Sequence, residues 1–143
     1  MNHPHSLDTN GWHRNPAYVI DFDILPALVR VEFGGETVAE SSQARVMYEL
    51  GHAPVYYFPR PDVKMTILEP TDHHTYCPYK GHASYWTLRT QIGRAENAVW
   101  SYEKPHEEMA GIADYMGFYW GRMDAWFEGG VMVPGPRDIP GRI

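Results

Sequence analysis

The sequence predicts a single mainly β domain, an antiparallel sandwich or open barrel with one short helix near 105–111. Three observations carry that expectation. Eight or nine short stretches alternate apolar and polar residues at intervals of about ten, the period-two pattern of strands that bury one face. Glycine and proline clusters punctuate them, where chains turn. Aromatics are abundant, with five Trp, ten Tyr and five Phe in 143 residues, and such side chains pack well on a pleated surface.

Residues 1–26 read as an irregular arm carrying His3, His5, His13 and the Asn10-Gly11 pair, with Tyr18 to Phe22 placed to pair as a short edge strand. Its histidines lack companion ligands, so they are expected to be exposed polar residues. The arm is the candidate element for packing over the domain or for self-association into a homo-oligomer. The main domain spans 27–130. Val29, Val31 and Phe33 alternate with Arg30 and Glu32, Gly34-Gly35 follows, and Thr37 to Ala39 resumes the strand. Two glycines at that point accept the positive φ of a tight hairpin. Ser41 to Gln43 turns the chain into a third strand, Ala44 to Leu50, with Arg45 and Glu49 on one face.

Pro54 to Phe58 forms the next strand and stops at Pro59-Arg60-Pro61, where two prolines remove backbone donors. Glu69 to Asp72 is expected to be a loop, and His82 to Leu88 and Asn97 to Glu103 are expected strands. Pro105 followed by acidic Glu107 and Glu108 suits the first turn of a helix ending by Gly111. Tyr115 to Trp120 and Met123 to Glu128 complete the strands, Gly129-Gly130 ends the last one, and 131–143 reads as a tail.

Twelve basic against eighteen acidic residues give a formal charge of −6 with the cations dispersed, which argues against a nucleic-acid phosphate tracker. No apolar run approaches the roughly 20 residues of a spanning helix, and the N-terminus has neither the basic nor the apolar region of a signal peptide. A soluble cytoplasmic protein without a membrane partner is expected. The single cysteine, Cys77, forbids an intrachain disulfide and paired Cys-x-x-Cys zinc motifs.

Chemistry concentrates in Tyr76-Cys77-Pro78-Tyr79-Lys80-Gly81, flanked by His73, His74, His82, Tyr85 and Trp86. That stretch resembles the DUF427 family, a small domain of unknown function sometimes labelled nucleotidyltransferase-like. Val29-Arg30-Val31 with Gly34-Gly35, Ala39-Glu40-Ser41, Glu49, Tyr56 to Arg60, Tyr85-Trp86, Ala98 to Tyr102 and Ile112 to Phe118 carry the rest of the resemblance. The resemblance implies two antiparallel sheets in a β-tent arrangement, pinned at one end and splayed at the other. Related β-tent domains pin their apex with zinc and bind small ligands between the sheets in an aromatic pocket. The lone cysteine makes such a zinc unlike this chain, and no cofactor is expected. The transferase label finds no support, because the sequence has no glycine-rich phosphate loop entering a helix and no close carboxylate pair suited to Mg²⁺.

Lys80 has two readings, an anchor or base in a ligand site and an exposed turn lysine. Cys77 is either a nucleophile beside Lys80 or a small buried hydrophobe. His73, His74, Cys77 and His82 form the one short-range set with ligand chemistry, but adjacent histidines on a strand face opposite ways, so no metal site is expected. Tyr57, Arg60, Tyr85, Trp100 and Tyr102 are the expected pocket wall, with Glu49 as partner to Lys80 or Arg60; the alternative is an ordinary aromatic core. The expected function is the binding of an anionic or planar small molecule in an aromatic cleft anchored by Lys80 and Arg60. The alternative is a small cofactor-independent enzyme using Lys80 or Cys77 in acid-base or covalent catalysis.

Overall fold

In a computed structural model describing residues 9–134, two antiparallel sheets follow from the alternating stretches. The larger contains β1 (Ile20–Ile24), β4 (Arg45–Glu49), β5 (Val55–Pro59), β9 (Tyr115–Phe118), β8 (Arg94–Ser101), β7 (Gly81–Arg89) and β6 (Leu68–Cys77), in that spatial order. The smaller has the order β11 (Val131–Met132), β10 (Ala125–Glu128), β2 (Val29–Phe33) and β3 (Glu36–Ser41). The expectations for His3, His5 and the segment from Gly135 onward lie outside the described residues.

Period-two alternation divides each strand of the large sheet between two environments. One face packs on the small sheet. Val29, Val31 and Val38 there meet Val46, Phe58, Leu88, Val99 and Met116, all fully or almost fully buried. Trp126 and Trp120 stack 4.3 Å apart at the margin of this core, with Tyr56 against Trp126 at 5.5 Å. The opposite face has its own cluster around Met47, Tyr57, Met109 and Ile112, and no residue of the small sheet belongs to it. That outer face holds the candidate site.

The Gly34-Gly35 hairpin forms as expected, with φ of 58° and 80°. Four other segments differ from the sequence reading. Gly129 and Gly130, at φ 58° and 84°, do not end the last strand but make a second hairpin into β11. The expected loop at Glu69 to Asp72 is part of the ten-residue strand β6, which tolerates Pro70 because it is an edge strand with a register break between Pro70 and His74. The expected helix is a 3₁₀ segment, Glu107–Ile112, interrupted where Met109 takes φ −117°. The arm holds a helical turn, α1 (Gly11–Arg14), as well as its edge strand β1, paired with β4. No helix among the described residues is long and apolar enough to cross a membrane.

Candidate functional site

Directly paired residues in antiparallel strands point to the same face, so register alone builds the wall of the site. Tyr57 on β5 pairs with Gly117 on β9, Gly117 with Trp100 on β8, and Trp100 with Tyr85 on β7. These four residues form one row across the outer face. The missing side chain of Gly117 is the gap into which the Trp100 indole lies; a Cβ there would stand 2.6 Å from two of its ring carbons. Trp100 then reaches across the strand, and its Nε1–H donates to the Tyr57 hydroxyl at 3.1 Å. Tyr119, two residues beyond Gly117, packs on the Trp100 ring at 4.7 Å.

The polar end of the cleft joins residues from strands well separated in the sheet order. Lys80 Nζ donates to Glu49 Oε1 at 2.8 Å, and both side chains are more than nine-tenths buried. The Tyr18 hydroxyl donates to Glu49 Oε2, with His52 Nε2 3.8 Å from the same oxygen. Cys77 Sγ lies 3.7 Å from Lys80 Nζ. In the strand order β4 and β7 are four steps apart, about 19 Å in a flat sheet. That is more than a lysine spans, so the sheet curls to bring the β6–β7 turn over the end of β4.

The arm fixes the turn that carries Lys80. Gly11 N–H donates to the Pro78 carbonyl at 2.8 Å and Trp12 Nε1–H to the Tyr79 carbonyl at 2.7 Å. Tyr18 stacks on Tyr79 at 3.9 Å, and Trp12 meets the same ring edge-on at 5.1 Å. Trp12 and Tyr18 of the arm thus both pack on this turn through the Tyr79 ring.

Burial works to raise the Glu49 carboxyl, but hydrogen bonds from Lys80 and Tyr18 and the Lys80 and His52 charges outweigh it and hold the group below the ordinary value. Burial pushes the Tyr18 hydroxyl up, helped by its bond to Glu49 and by that carboxylate's charge. It likewise raises Tyr57, against the Trp100 hydrogen bond, and Tyr102. Tyr119 is pushed up to about 12 by burial and its hydrogen bond with Tyr85. At neutral pH the Tyr18, Tyr57, Tyr102 and Tyr119 hydroxyls therefore stay protonated while Glu49 is ionised.

Glu49, His52, Lys80 and the Tyr57, Tyr85, Trp100, Tyr102 and Tyr119 rings line a cavity of about 210 Å³ together with Met47, Ala53 and Val55. Of the residues singled out from sequence, Glu49, Tyr57, Lys80, Tyr85, Trp100 and Tyr102 all line it, and Cys77 touches Lys80 from outside that lining. Two expectations are corrected. The cleft is on the outer face of the large sheet, because the residues facing the small sheet fill a closed apolar core. Arg60 is not in it: Glu49 lies beyond the Val55 end of β5, whereas Arg60 follows the Pro59 end in the 3₁₀ turn Arg60–Asp62. Arg60 pairs instead with Glu103 at 3.1 Å and Asp114 at 3.9 Å and lies over Trp86, beside a separate concavity of about 550 Å³.

His73 packs edge-on against Tyr85 at 4.6 Å. Among the described residues no three His, Cys, Asp or Glu side chains come together to hold a metal. Sequence reasoning missed Trp12, Tyr18, His52, Gly117 and Tyr119. Gly117 carried a usable signal, since an isolated glycine within a strand pattern marks a close approach. Tyr18 carried none, because its contact with Glu49 spans 31 residues of chain.

The family model described as a domain of unknown function, DUF427, matches residues 23–129. The chain belongs to that family. A search among curated proteins finds no match. Trp12 and Tyr18 lie outside the matched residues, so part of the site is supplied by chain that precedes the family domain.

Proposed function

Membership of a family defined without an activity leaves the site as the source of a functional reading, and from it we propose that this protein binds a compact, planar, uncharged metabolite in the outer-face cleft. The observation that carries the reading is the aromatic cavity closed at one end by an ion pair already complete within the chain. Of the two expected ligand chemistries, anionic and planar, the second is favoured. Arg60 is elsewhere, and an anion reaching Lys80 would have to compete with a tethered carboxylate 2.8 Å away. The cavity's 210 Å³ equals about seven waters at roughly 30 Å³ each, below the usual range for drug-sized ligands and suited to one ring. Tyr and Trp faces would clasp the ring, while tyrosine hydroxyls and the remaining Lys80 N–H serve its polar edge. Thermal-shift titration with benzamide, benzoate and benzylamine tests this. The amide is expected to raise the melting temperature most, and Trp100→Phe with Tyr102→Phe should reduce that effect. A benzoate response exceeding the amide's, or an amide response unaffected by both substitutions, would sink the proposal.

One observation supports a second reading, a covalent enzyme: Lys80 Nζ is 3.7 Å from Cys77 Sγ, an arrangement in which a thiol serves as nucleophile. Its mark is alkylation of Cys77 by iodoacetamide at neutral pH faster than that of free cysteine, with the excess lost in Lys80→Met. A rate equal to or below that of free cysteine removes this reading.

A further inference from the structure

A second concavity of about 250 Å³ opens on the same outer face, between β1, β4 and the Glu107–Ile112 turns. Ile20, Phe22, Met109 and Ile112 give it apolar walls, and Arg45 also lines it. The Arg45 guanidinium is fixed. Nε donates to the Tyr115 hydroxyl at 3.3 Å and Nη1 to the Phe22 carbonyl at 2.9 Å, and its carbon stands 5.4 Å and 5.9 Å from the centroids of the Phe22 and Tyr115 rings. None of these partners is a carboxylate. Arg30, Arg60, Lys64, Lys80 and Arg89 each have an acidic partner, whereas Arg45 makes no ion pair among the described residues. Two of its five N–H groups are used in these bonds, which leaves donors in the fork geometry that fits a carboxylate.

A half-buried permanent cation in a hollow of mixed polar and apolar lining has no ion-pair partner among the described residues to repay its desolvation. We propose that this concavity is a second binding site, independent of the Lys80 cleft, for a monocarboxylic acid with a short apolar tail. The carboxylate takes the free guanidinium N–H groups of Arg45, and the tail lies among Ile20, Phe22, Met109 and Ile112. At about eight waters' volume the hollow holds a tail of roughly six to eight carbons. Glu108, exposed at the rim, is the acid that opposes the ligand and so sets an upper limit on affinity.

Calorimetric titration of the whole chain with hexanoate, and with hexanamide as its uncharged isostere, tests the site. Hexanoate is expected to bind saturably and at least about tenfold tighter than hexanamide, as a charge-assisted fork implies. Arg45→Met should abolish that preference, and Glu108→Gln, at an exposed position, should tighten hexanoate by roughly two- to fivefold through removal of a like charge. Equal binding of acid and amide, or hexanoate binding unaltered in both variants, would overturn the proposal. If Arg45→Met does not fold, the acid–amide comparison and Glu108→Gln decide it alone.

Discussion

Gly117→Ala is expected to destabilise the protein by about 3 kcal/mol, summing overpacking with the loss of a buried hydrogen bond, and to lower its melting temperature by roughly 10 °C. The added Cβ would stand 2.6 Å from two Trp100 ring carbons, so the indole must leave the β9 backbone. Its departure breaks the Nε1–H bond to the Tyr57 hydroxyl and leaves that hydroxyl, on a side chain only 2 % exposed, without its donor. The cleft loses its wall at the same time. Gly111→Ala is the control, because nothing lies within 4 Å of the Cβ it would add; a change within about 0.5 kcal/mol is expected. In a Trp100→Ala background the Gly117→Ala penalty should fall below about 1 kcal/mol, since the clashing ring is gone. Chemical denaturation of the unsubstituted protein, the three single variants and the double variant measures this, and a full penalty surviving without Trp100 would mean that the clash is not its cause.

Lys80→Met is expected to cost about 3–5 kcal/mol near neutral pH, because it strands a buried carboxylate. Glu49 keeps the Tyr18 hydroxyl and the more distant His52, but not the ammonium whose hydrogen bond holds its pKa down. Glu49→Gln in the Lys80→Met background should recover at least about half of the loss, since it removes the stranded charge. The pH dependence has a defined sign. In the native protein the folded-state pKa of Glu49 is lowered, so the pair's contribution is complete above the unfolded value of about 4.3 and fades as pH falls through the lower folded value. Without Lys80, burial dominates and raises that pKa, so protonation relieves the variant. The Lys80→Met penalty should therefore shrink as pH drops from 7 towards 4. A penalty constant across that range would show that Glu49 is not the group left stranded.

Most of the fold was legible because its cause is local. Val29, Val31 and Phe33 alternate in the sequence and alternate in burial, and Gly34-Gly35 could hardly be anything but a hairpin. The missed strand at Glu69 to Cys77 shows the limit of local reading. Pro70 signals a break unless the strand is known to lie at an edge, and edge position is a property of the whole sheet. The same holds for the site. Tyr57, Tyr85, Trp100 and Tyr102 could be assigned to one wall from alternation within each strand, whereas the face they share depends on which side the small sheet covers. Arg60 was drawn towards Lys80 by its place beside an aromatic strand. Strand direction separates them, since Glu49 and Arg60 adjoin opposite ends of the five residues Val55–Pro59. The roles of Trp12 and Tyr18 follow only from the curl of the large sheet, which no spacing in the sequence records.

The five tryptophans supply the most direct test of where a ligand sits. Trp86, Trp120 and Trp126 belong to the core between the sheets, Trp12 lies on the arm against Tyr79, and Trp100 lines the outer cleft. Titrating benzamide into ¹⁵N-labelled protein, with the Trp100 indole resonance assigned by its loss in Trp100→Phe, reads all five positions together. A saturable shift of the Trp100 indole signal is expected while those of Trp86, Trp120 and Trp126 stay in place. A shift centred on the three core indoles, or no saturable shift of Trp100, would contradict a binding cleft on the outer face.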